Sequence, residues 1–133
     1  MKTFLILFFC AAVISPLSTE AATPFVSRIH FLSNRFEIPE TEQSQIDQNV
    51  EWLKENPSAV LILEGHCDEW GDDYYNLELG DKRAREVKAT LIEKGIDPER
   101  IIMVVSYGKA KPIDPRSTQE AWVLNRRVEF ILR

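Results

Sequence analysis

The sequence predicts an α/β sandwich in which two helices pack on a small sheet. Four short segments, at 26–31, 59–66, 100–107 and 127–133, have the lengths and apolar or alternating patterns of strands. Two longer segments between them carry apolar residues at helical spacing. The chain of 133 residues is long enough for one domain. The predicted order is therefore strand, helix, strand, helix, strand, loop, strand.

The predicted strands differ in how their two faces are composed. In the first strand Ile29 and Phe31 point to one side, and Arg28 and His30 point to the other. The last strand, RVEFILR, alternates in the same way. The third strand, RIIMVVSY, is apolar enough for burial on both faces. We therefore expect the helices to cover one face of the sheet and the other face to be partly open.

Helix boundaries follow from capping and breaking residues. The first helix is expected after Pro39 and ends at the ENP of 55–57. The second is expected from about Asn76 to Lys94, with Asn76 as a candidate N-cap and Gly95 at the C-terminal end. A short helical turn is expected at Asn125 to Arg127, just before the last strand.

The N-terminus predicts export. A single Lys2, an apolar run at 4–14 and small residues up to Ala21 follow the order of a secretory signal peptide. Cleavage after Ala21 would leave a short arm, 22–27, and one domain, 28–133, in the periplasm. Lipidation at Cys10 is the alternative, and it would attach the protein to the outer membrane. The formal net charge of −5 argues against binding of nucleic acid or an anionic membrane surface.

The charged loop EGHCDEWGDDYYN follows the second predicted strand and suggests a ligand site. Asp68 and Arg83 either form an ion pair with each other or stand apart and hold a zwitterion, whose ammonium meets Asp68 and whose carboxylate meets Arg83. Of the two adjacent tyrosines, Tyr74 and Tyr75, one ring is expected to pack under the loop. The other is expected to form the wall of a ligand groove. Trp70 is expected either to fill space inside the loop or to be an exposed residue that contacts a ligand.

A catalytic or metal site is not predicted. Glu64, His66 and Asp68 alternate along one strand face and could ligate a metal, but the chain has only two histidines. No serine stands in a nucleophile-elbow context, and there is no phosphate-binding loop. We therefore expect no enzyme activity and no cofactor. His66 is expected to be hydrogen-bonded to a neighbour within the sheet, and Cys67 to be a small buried apolar residue.

Three separated motifs resemble one known family. The stretch EGHCDEWGDDYYNLELGDKRAREVKATLIEKGI, then VSYGKAKP and NRRVEF, is similar to the OmpA C-terminal-like peptidoglycan-binding domain, and within it to the peptidoglycan-associated lipoprotein (Pal) branch. The similarity runs from about Ile29 to Arg133. It implies the order β-α-β-α-β-β, with two main helices on one face of a small mixed sheet.

The resemblance also implies a ligand and the residues that bind it. The ligand is diaminopimelate, in the stem peptide of peptidoglycan, and the binding pair is Asp68 and Arg83. This implication favours the zwitterion over the simple ion pair. The positions implied to line or support the pocket are Asn34, His66, Asn76, Leu79, Arg126 and Arg127.

Two departures from the family pattern keep a second function open. Leu32 and Ser33 replace an acid and an aromatic residue that border the pocket in relatives. The first hypothesis is a non-catalytic module that binds diaminopimelate-type peptidoglycan and contributes to envelope integrity. The alternative is a periplasmic adaptor with a weakened peptidoglycan site and a protein as its main ligand. The Pal resemblance implies a Tol-system protein as that partner.

Overall fold

The computed structural model describes residues 22–133, and the predicted signal peptide at 1–21 lies outside this range. A 3-10 turn at Pro98–Arg100 precedes the third strand. The helices and strands, numbered in chain order, are β1 (Arg28–His30), α1 (Glu40–Glu55), β2 (Leu61–His66), α2 (Asp73–Glu93), β3 (Ile101–Gly108), α3 (Gln119–Asn125) and β4 (Arg127–Leu132).

The four strands form one mixed sheet in the order β1-β4-β2-β3. β2 and β3 are parallel, as a connection through α2 requires. β4 lies between β1 and β2 and is antiparallel to both. The predicted α/β fold with a small mixed sheet is confirmed.

The core lies between the helices and one face of the sheet. Leu61, Leu63, Val128 and Phe130 alternate toward this face, where they meet buried residues of α1 and α2. The intervening residues of β2 and β4 point to the opposite face, which is polar and partly exposed. We call this opposite surface the second face of the sheet. No helix within residues 22–133 is long and apolar enough to span a bilayer.

The structure corrects two predictions about individual elements. α2 begins at Asp73, three residues before the predicted start, because the Asp72 side chain caps it by accepting a hydrogen bond from the Tyr75 amide at 2.7 Å. The prediction that β3 is buried on both faces is wrong, since Ile102 and Met103 are each more than half exposed. β3 is an edge strand, and nothing in its own sequence specifies that position.

α3 was not predicted. Its N-cap is Thr118, whose hydroxyl accepts a hydrogen bond from the Ala121 amide. The helical turn expected at 125–127 is wrong, because α3 ends at Asn125 and β4 begins at Arg127. Asn125 is buried and accepts hydrogen bonds from the amides of Ile113 and Asp114, so it holds the long loop that precedes α3.

Two glycines allow β2 and α2 to approach each other closely. A Cβ atom on Gly65 would lie 1.8 Å from the carbonyl oxygen of Gly80. A Cβ atom on Gly80 would lie 2.3 Å from the Ser106 hydroxyl. The end of β2 therefore packs directly on the backbone of α2. This contact brings the loop after β2 next to Arg83.

Candidate ligand-binding site

A surface cavity of about 300 Å³ opens where the loop after β2 meets α2 and the loop after β1. A second depression of about 180 Å³ continues from it along α2 and shares three of its lining residues. The residues around the main cavity are Ser33, Asn34, Asp68, Trp70, Gly71, Tyr75, Asn76, Leu79 and Arg83.

Arg83 forms the buried floor of this cavity and has no exposed surface. Its Nε donates to the carbonyl oxygen of Arg35 at 2.8 Å. Its Nη1 donates to the carbonyl of His66 at 2.9 Å and to the Cys67 sulfur at 3.5 Å. Its Nη2 donates to the carbonyl of Leu32 at 3.0 Å. The side chain therefore ties α2 to the loop after β1 and to the end of β2.

Only one donor of Arg83 is left for a ligand. A guanidinium has five N–H groups, and the four hydrogen bonds use four of them. The remaining N–H is on Nη2. Burial lowers the pKa of Arg83 from its ordinary value, while Cys67 and Asp68 oppose that shift. The group is nevertheless a cation at neutral pH, because arginine is not deprotonated in proteins.

Among residues 22–133, Asp68 is the one carboxylate that lines the cavity, and its direct partner is Arg126 rather than Arg83. Oδ2 accepts from Nη1 of Arg126 at 3.1 Å, and Oδ1 accepts from the Trp70 amide at 3.1 Å. The Nε of Arg126 donates to the carbonyl of Phe31, which fixes the guanidinium in place. Half of the lone-pair sites of the carboxylate are thus still available to a ligand.

The structure therefore rejects a direct ion pair between Asp68 and Arg83. No salt bridge joins these two side chains in the part of the chain that the structure describes. The site contains the carboxylate of Asp68 and the guanidiniums of Arg83 and Arg126. All three residues are buried. The local formal charge is +1, so the site favours a ligand that supplies at least one anionic group.

Aromatic side chains form part of the cavity wall. Tyr75 lines the cavity, which matches the expectation for one of the two tyrosines. Tyr74 is 78 % exposed, so the expectation that the other ring packs under the loop is wrong. Trp70 also lines the cavity, is 60 % exposed and packs edge-on against Trp122, with ring centroids 5.3 Å apart.

Asn76 holds the loop in shape. Its side-chain nitrogen donates to the carbonyls of Trp70 and Asp72, at 2.8 and 3.1 Å. Asn76 is therefore not the N-cap of α2; it lies in the first turn and ties the loop to the helix. Leu79 provides an apolar part of the wall, and Asn34 lies opposite in a left-handed conformation with φ of 57°.

The loop after β1 lacks the side chains that the family pattern would place there. Ser33 lines the cavity, whereas Leu32 is 62 % exposed and is absent from the lining. The Leu32 carbonyl still accepts from Arg83. The two substitutions therefore leave the backbone support of Arg83 intact.

His66 and Arg127 do not line the cavity; their side chains lie on the second face of the sheet. The His66 ring stacks on Tyr107 with centroids 5.5 Å apart. The expected hydrogen bond of His66 to a neighbour is wrong, since neither ring nitrogen has a partner within residues 22–133. Burial, assisted by Arg127, lowers the pKa of His66 to about 4. Arg127 donates to Glu129 at 2.7 Å.

Cys67 is a buried free thiol, as predicted. Its sulfur lies 3.2 Å from the carbonyl oxygen of Asn76. Burial raises its pKa to about 11. The thiol is therefore protonated at neutral pH and serves as a packed side chain between the end of β2 and α2.

Arg126, which was expected to line or support the pocket, contacts Asp68 directly. Sequence reasoning missed Trp122. Trp122 reaches the loop from α3, where its indole nitrogen donates to Glu69 at 2.9 Å. Thr118, a residue type that commonly caps helices, is the signal that could have located α3 and with it Trp122.

The fold and the site define an OmpA-type domain. The model of the OmpA family matches residues 30–126, and the chain belongs to this family. It is similar to the peptidoglycan-associated lipoprotein of Pseudomonas aeruginosa, with 35% identity over 119 residues that cover 90% of this chain and 70% of that protein. It is 40% identical over 86 residues to the peptidoglycan-associated lipoprotein of Legionella pneumophila, which covers 65% of this chain and 48% of that protein.

Solved structures agree with this assignment. The crystal structure of the peptidoglycan-associated lipoprotein from Burkholderia pseudomallei superposes with a TM-score of 0.78 at 28% identity, over 90% of this chain and all of that one. The C-terminal domain of Helicobacter pylori MotB superposes with a TM-score of 0.74 at 23% identity, over 81% of this chain and 84% of that one. At that identity the second comparison concerns the fold alone.

Proposed function

We propose that this domain binds peptidoglycan without catalysis and holds the diaminopimelate residue of the stem peptide in the cavity between Asp68 and Arg83. The observation that carries the proposal is the arrangement of buried charge. Asp68 and Arg83 border one cavity, do not pair with each other, and each have hydrogen-bonding capacity that their protein partners leave unused.

Diaminopimelate has the groups that this arrangement can bind. Its side chain ends in an ammonium and a carboxylate on one carbon. The ammonium would donate to the free lone pairs of Asp68, and the carboxylate would accept from the remaining N–H of Arg83. Both protein groups are already oriented by backbone partners, so binding costs little side-chain entropy. Lysine lacks that carboxylate and would leave the Arg83 donor unmatched.

The relatives support the chemical class of this ligand. Several similar proteins carry the name peptidoglycan-associated lipoprotein, and one has a solved structure of the same fold. A role in the cell envelope follows from the proposed ligand. We propose a periplasmic location, with attachment to the outer membrane in the case of lipidation at Cys10.

A sedimentation assay with insoluble peptidoglycan tests the proposal. The purified protein is mixed with diaminopimelate-type and lysine-type walls, alongside Asp68→Asn and the matched control Asp47→Asn. Asp47 is an exposed carboxylate on α1, bonded to Lys94 and outside the cavity. We expect Asp68→Asn to lower affinity by about tenfold or more, since a hydrogen bond to a charged group contributes about 1.5–3 kcal/mol.

The outcomes separate the parts of the proposal. Retention on the diaminopimelate-type wall alone, lost in Asp68→Asn and kept in Asp47→Asn, supports the full assignment. Equal retention on both walls refutes diaminopimelate selectivity. Failure of the unchanged protein to sediment with either wall refutes peptidoglycan binding itself.

An adaptor function is the second candidate, and the apolar rim of the cavity favours it. The exposed Trp70 lines the cavity and the exposed Phe36 lines the neighbouring depression, while the exposed Leu32 and Tyr74 adjoin lining residues in the sequence. Such a concentration of exposed apolar side chains is typical of protein-binding surfaces. Photo-crosslinking from position 32 in envelope extracts would test it. A protein adduct that survives in Asp68→Asn favours the adaptor, and the absence of any protein adduct refutes it.

A further inference from the structure

The second face of the sheet carries a cluster that the proposed peptidoglycan site does not use. Glu64 and His66 are alternate residues of β2, and Glu129 lies on the neighbouring strand β4. One carboxylate oxygen or ring nitrogen from each lies within 4.8 Å of the others. We call these three residues the second-face cluster. Their side chains point away from the helices, because the alternating residues Leu63 and Phe130 are in the core.

The sheet register brings two carboxylates face to face. Glu64 and Glu129 are direct cross-strand partners between β2 and β4. Like charges in this relationship destabilise a sheet unless something neutralises them. Glu129 has its own cation, since Oε1 accepts from Nε of Arg127 at 2.7 Å. Within residues 22–133, the salt bridges of Glu64 include neither a lysine nor an arginine; its one near basic group is His66, at 3.7 Å.

His66 provides an independent indication of a ligand. His66 is 1 % exposed, and both of its ring nitrogens lack a hydrogen-bond partner within the described chain. Its Nε2 lies 3.7 Å from Oε2 of Glu64. A buried polar atom without a partner is uncommon in proteins and requires an explanation. A cation bound between the imidazole and the carboxylates would satisfy the nitrogen and neutralise Glu64 at once.

We propose that Glu64, His66 and Glu129 form a binding site for a zinc-type divalent transition metal on the second face of the sheet. One imidazole nitrogen and two carboxylate oxygens are a donor set suited to Zn²⁺, which would keep a further position for water. Mg²⁺ and Ca²⁺ prefer oxygen ligands throughout and match this set less well.

The ligand atoms, which lie within 4.8 Å of one another, would have to move closer together around the ion. Ligand atoms of tetrahedral Zn²⁺ are roughly 3.4 Å apart, given bond lengths of about 2.0–2.2 Å. The separation of His66 and Glu64 is already 3.7 Å. Arg127 occupies one oxygen of Glu129 and orients the carboxylate for metal binding through the other. Both glutamate side chains are about one-fifth exposed, which gives an ion access to the cluster.

The sequence predicted no metal site, and the set of three residues that it offered as an alternative is a different one. Glu64, His66 and Asp68 alternate along the chain, but β2 ends at His66 after an irregular register against β3. Asp68 then binds Arg126 at the cavity. Glu129 takes the third position because β4 pairs with β2. An ion bound there would link β2 to β4. No catalytic step is proposed for it.

Zinc titration by calorimetry tests the proposal. The protein is purified without a polyhistidine tag, treated with a chelator and titrated with ZnCl₂. We expect one equivalent to bind with saturation, with no comparable binding of MgCl₂. His66→Gln and Glu129→Gln should each lower the zinc affinity at least about tenfold, since loss of even an outer-shell partner costs 10–100-fold. His30→Gln is the matched control, because His30 lies on the same face beside Glu42.

Nuclear magnetic resonance of the unchanged protein gives a second measurement that requires no folded variant. Zinc should shift the ring-nitrogen resonances of His66 and leave those of His30 in place. The absence of saturable zinc binding would overturn the proposal. Equal affinity in His66→Gln and the unchanged protein would overturn it as well, as would a zinc response confined to His30.

Discussion

Replacement of Arg83 by methionine tests whether this residue holds the site together as well as bearing its charge. Methionine keeps most of the apolar stem and removes the guanidinium. The change leaves the carbonyls of Leu32, Arg35 and His66 without their donor. These carbonyls belong to the loop after β1 and to the end of β2, so their loss of a partner affects both walls of the cavity.

The expected cost follows from the number and burial of those bonds. Three bonds of 2.8–3.0 Å from a fully buried cation are lost. A buried acceptor that is left without its donor typically costs about 1–3 kcal/mol, so three of them cost about 3 kcal/mol or more. The variant no longer buries a guanidinium, and this gain offsets part of that loss. A domain of this size has a free energy of unfolding of about 5–15 kcal/mol, so the variant should be markedly destabilised.

Urea unfolding followed by tryptophan fluorescence measures this change. Lys82→Met is the control, since Lys82 neighbours Arg83 on α2 and its exposed pair with Glu78 should contribute under about 1 kcal/mol. The midpoint for Arg83→Met should fall well below that of the control, with a similar dependence on urea. A loss under about 1 kcal/mol for Arg83→Met would refute the structural role.

Three further predictions concern packing, thiol reactivity and the aromatic wall. Gly65→Ala should destabilise the protein by about 3 kcal/mol or more in urea unfolding, because the new methyl group would meet the Gly80 carbonyl oxygen at 1.8 Å. Iodoacetamide should label Cys67 far more slowly in the folded than in the urea-unfolded protein when followed by peptide mass spectrometry, because a pKa raised from 9.0 to about 11 lowers the thiolate fraction roughly 100-fold. Trp70→Ala should weaken retention on diaminopimelate-type peptidoglycan about 2–10-fold, since an aromatic contact contributes about 0.5–1.5 kcal/mol.

Each of these predictions has a matched control and a contrary result. Gly95→Ala faces open space apart from the end of Lys54 and should cost only the strain of its φ of 101°, about 1–2 kcal/mol. A loss for Gly65→Ala no greater than this would contradict the close contact. Equal labelling of Cys67 in both states would show that the thiol is accessible. Tyr74→Ala lies outside the cavity lining, so an equal effect of Tyr74→Ala and Trp70→Ala would remove Trp70 from the wall.

The elements with strong local signals could be predicted from the sequence. α1 ends where the ENP stop signal places it, and the C-terminal end of α2 follows from Gly95, whose amide donates to the Ile92 carbonyl. α3 was missed because it has seven residues, too few for a helical period to stand out from a loop. The exposure of β3 was predicted wrongly, because an apolar strand has the same sequence pattern at the edge of a sheet as in its centre.

The candidate site was predictable as a set of residues and not as an arrangement. The loop motif and the start of α2 identified Asp68 and Arg83, because a strand end and the following helix are near each other in any α/β unit. The partner of Asp68 is Arg126, 58 residues further along the chain. Contacts over such separations depend on strand order, and no local pattern specifies it.

The sequence by itself determined the α/β class, the main helices and the two charged residues at the cavity, since these depend on local periodicity and on short motifs. Tertiary structure alone decided which charges meet. The insertion of β4 between β1 and β2 brings Arg126 to Asp68 on one side of the chain and Glu129 to Glu64 on the other. Successive residues of a strand point to opposite faces, so Arg127 and Glu129 share the second face with Glu64 and His66, and the core lies between them and the helices.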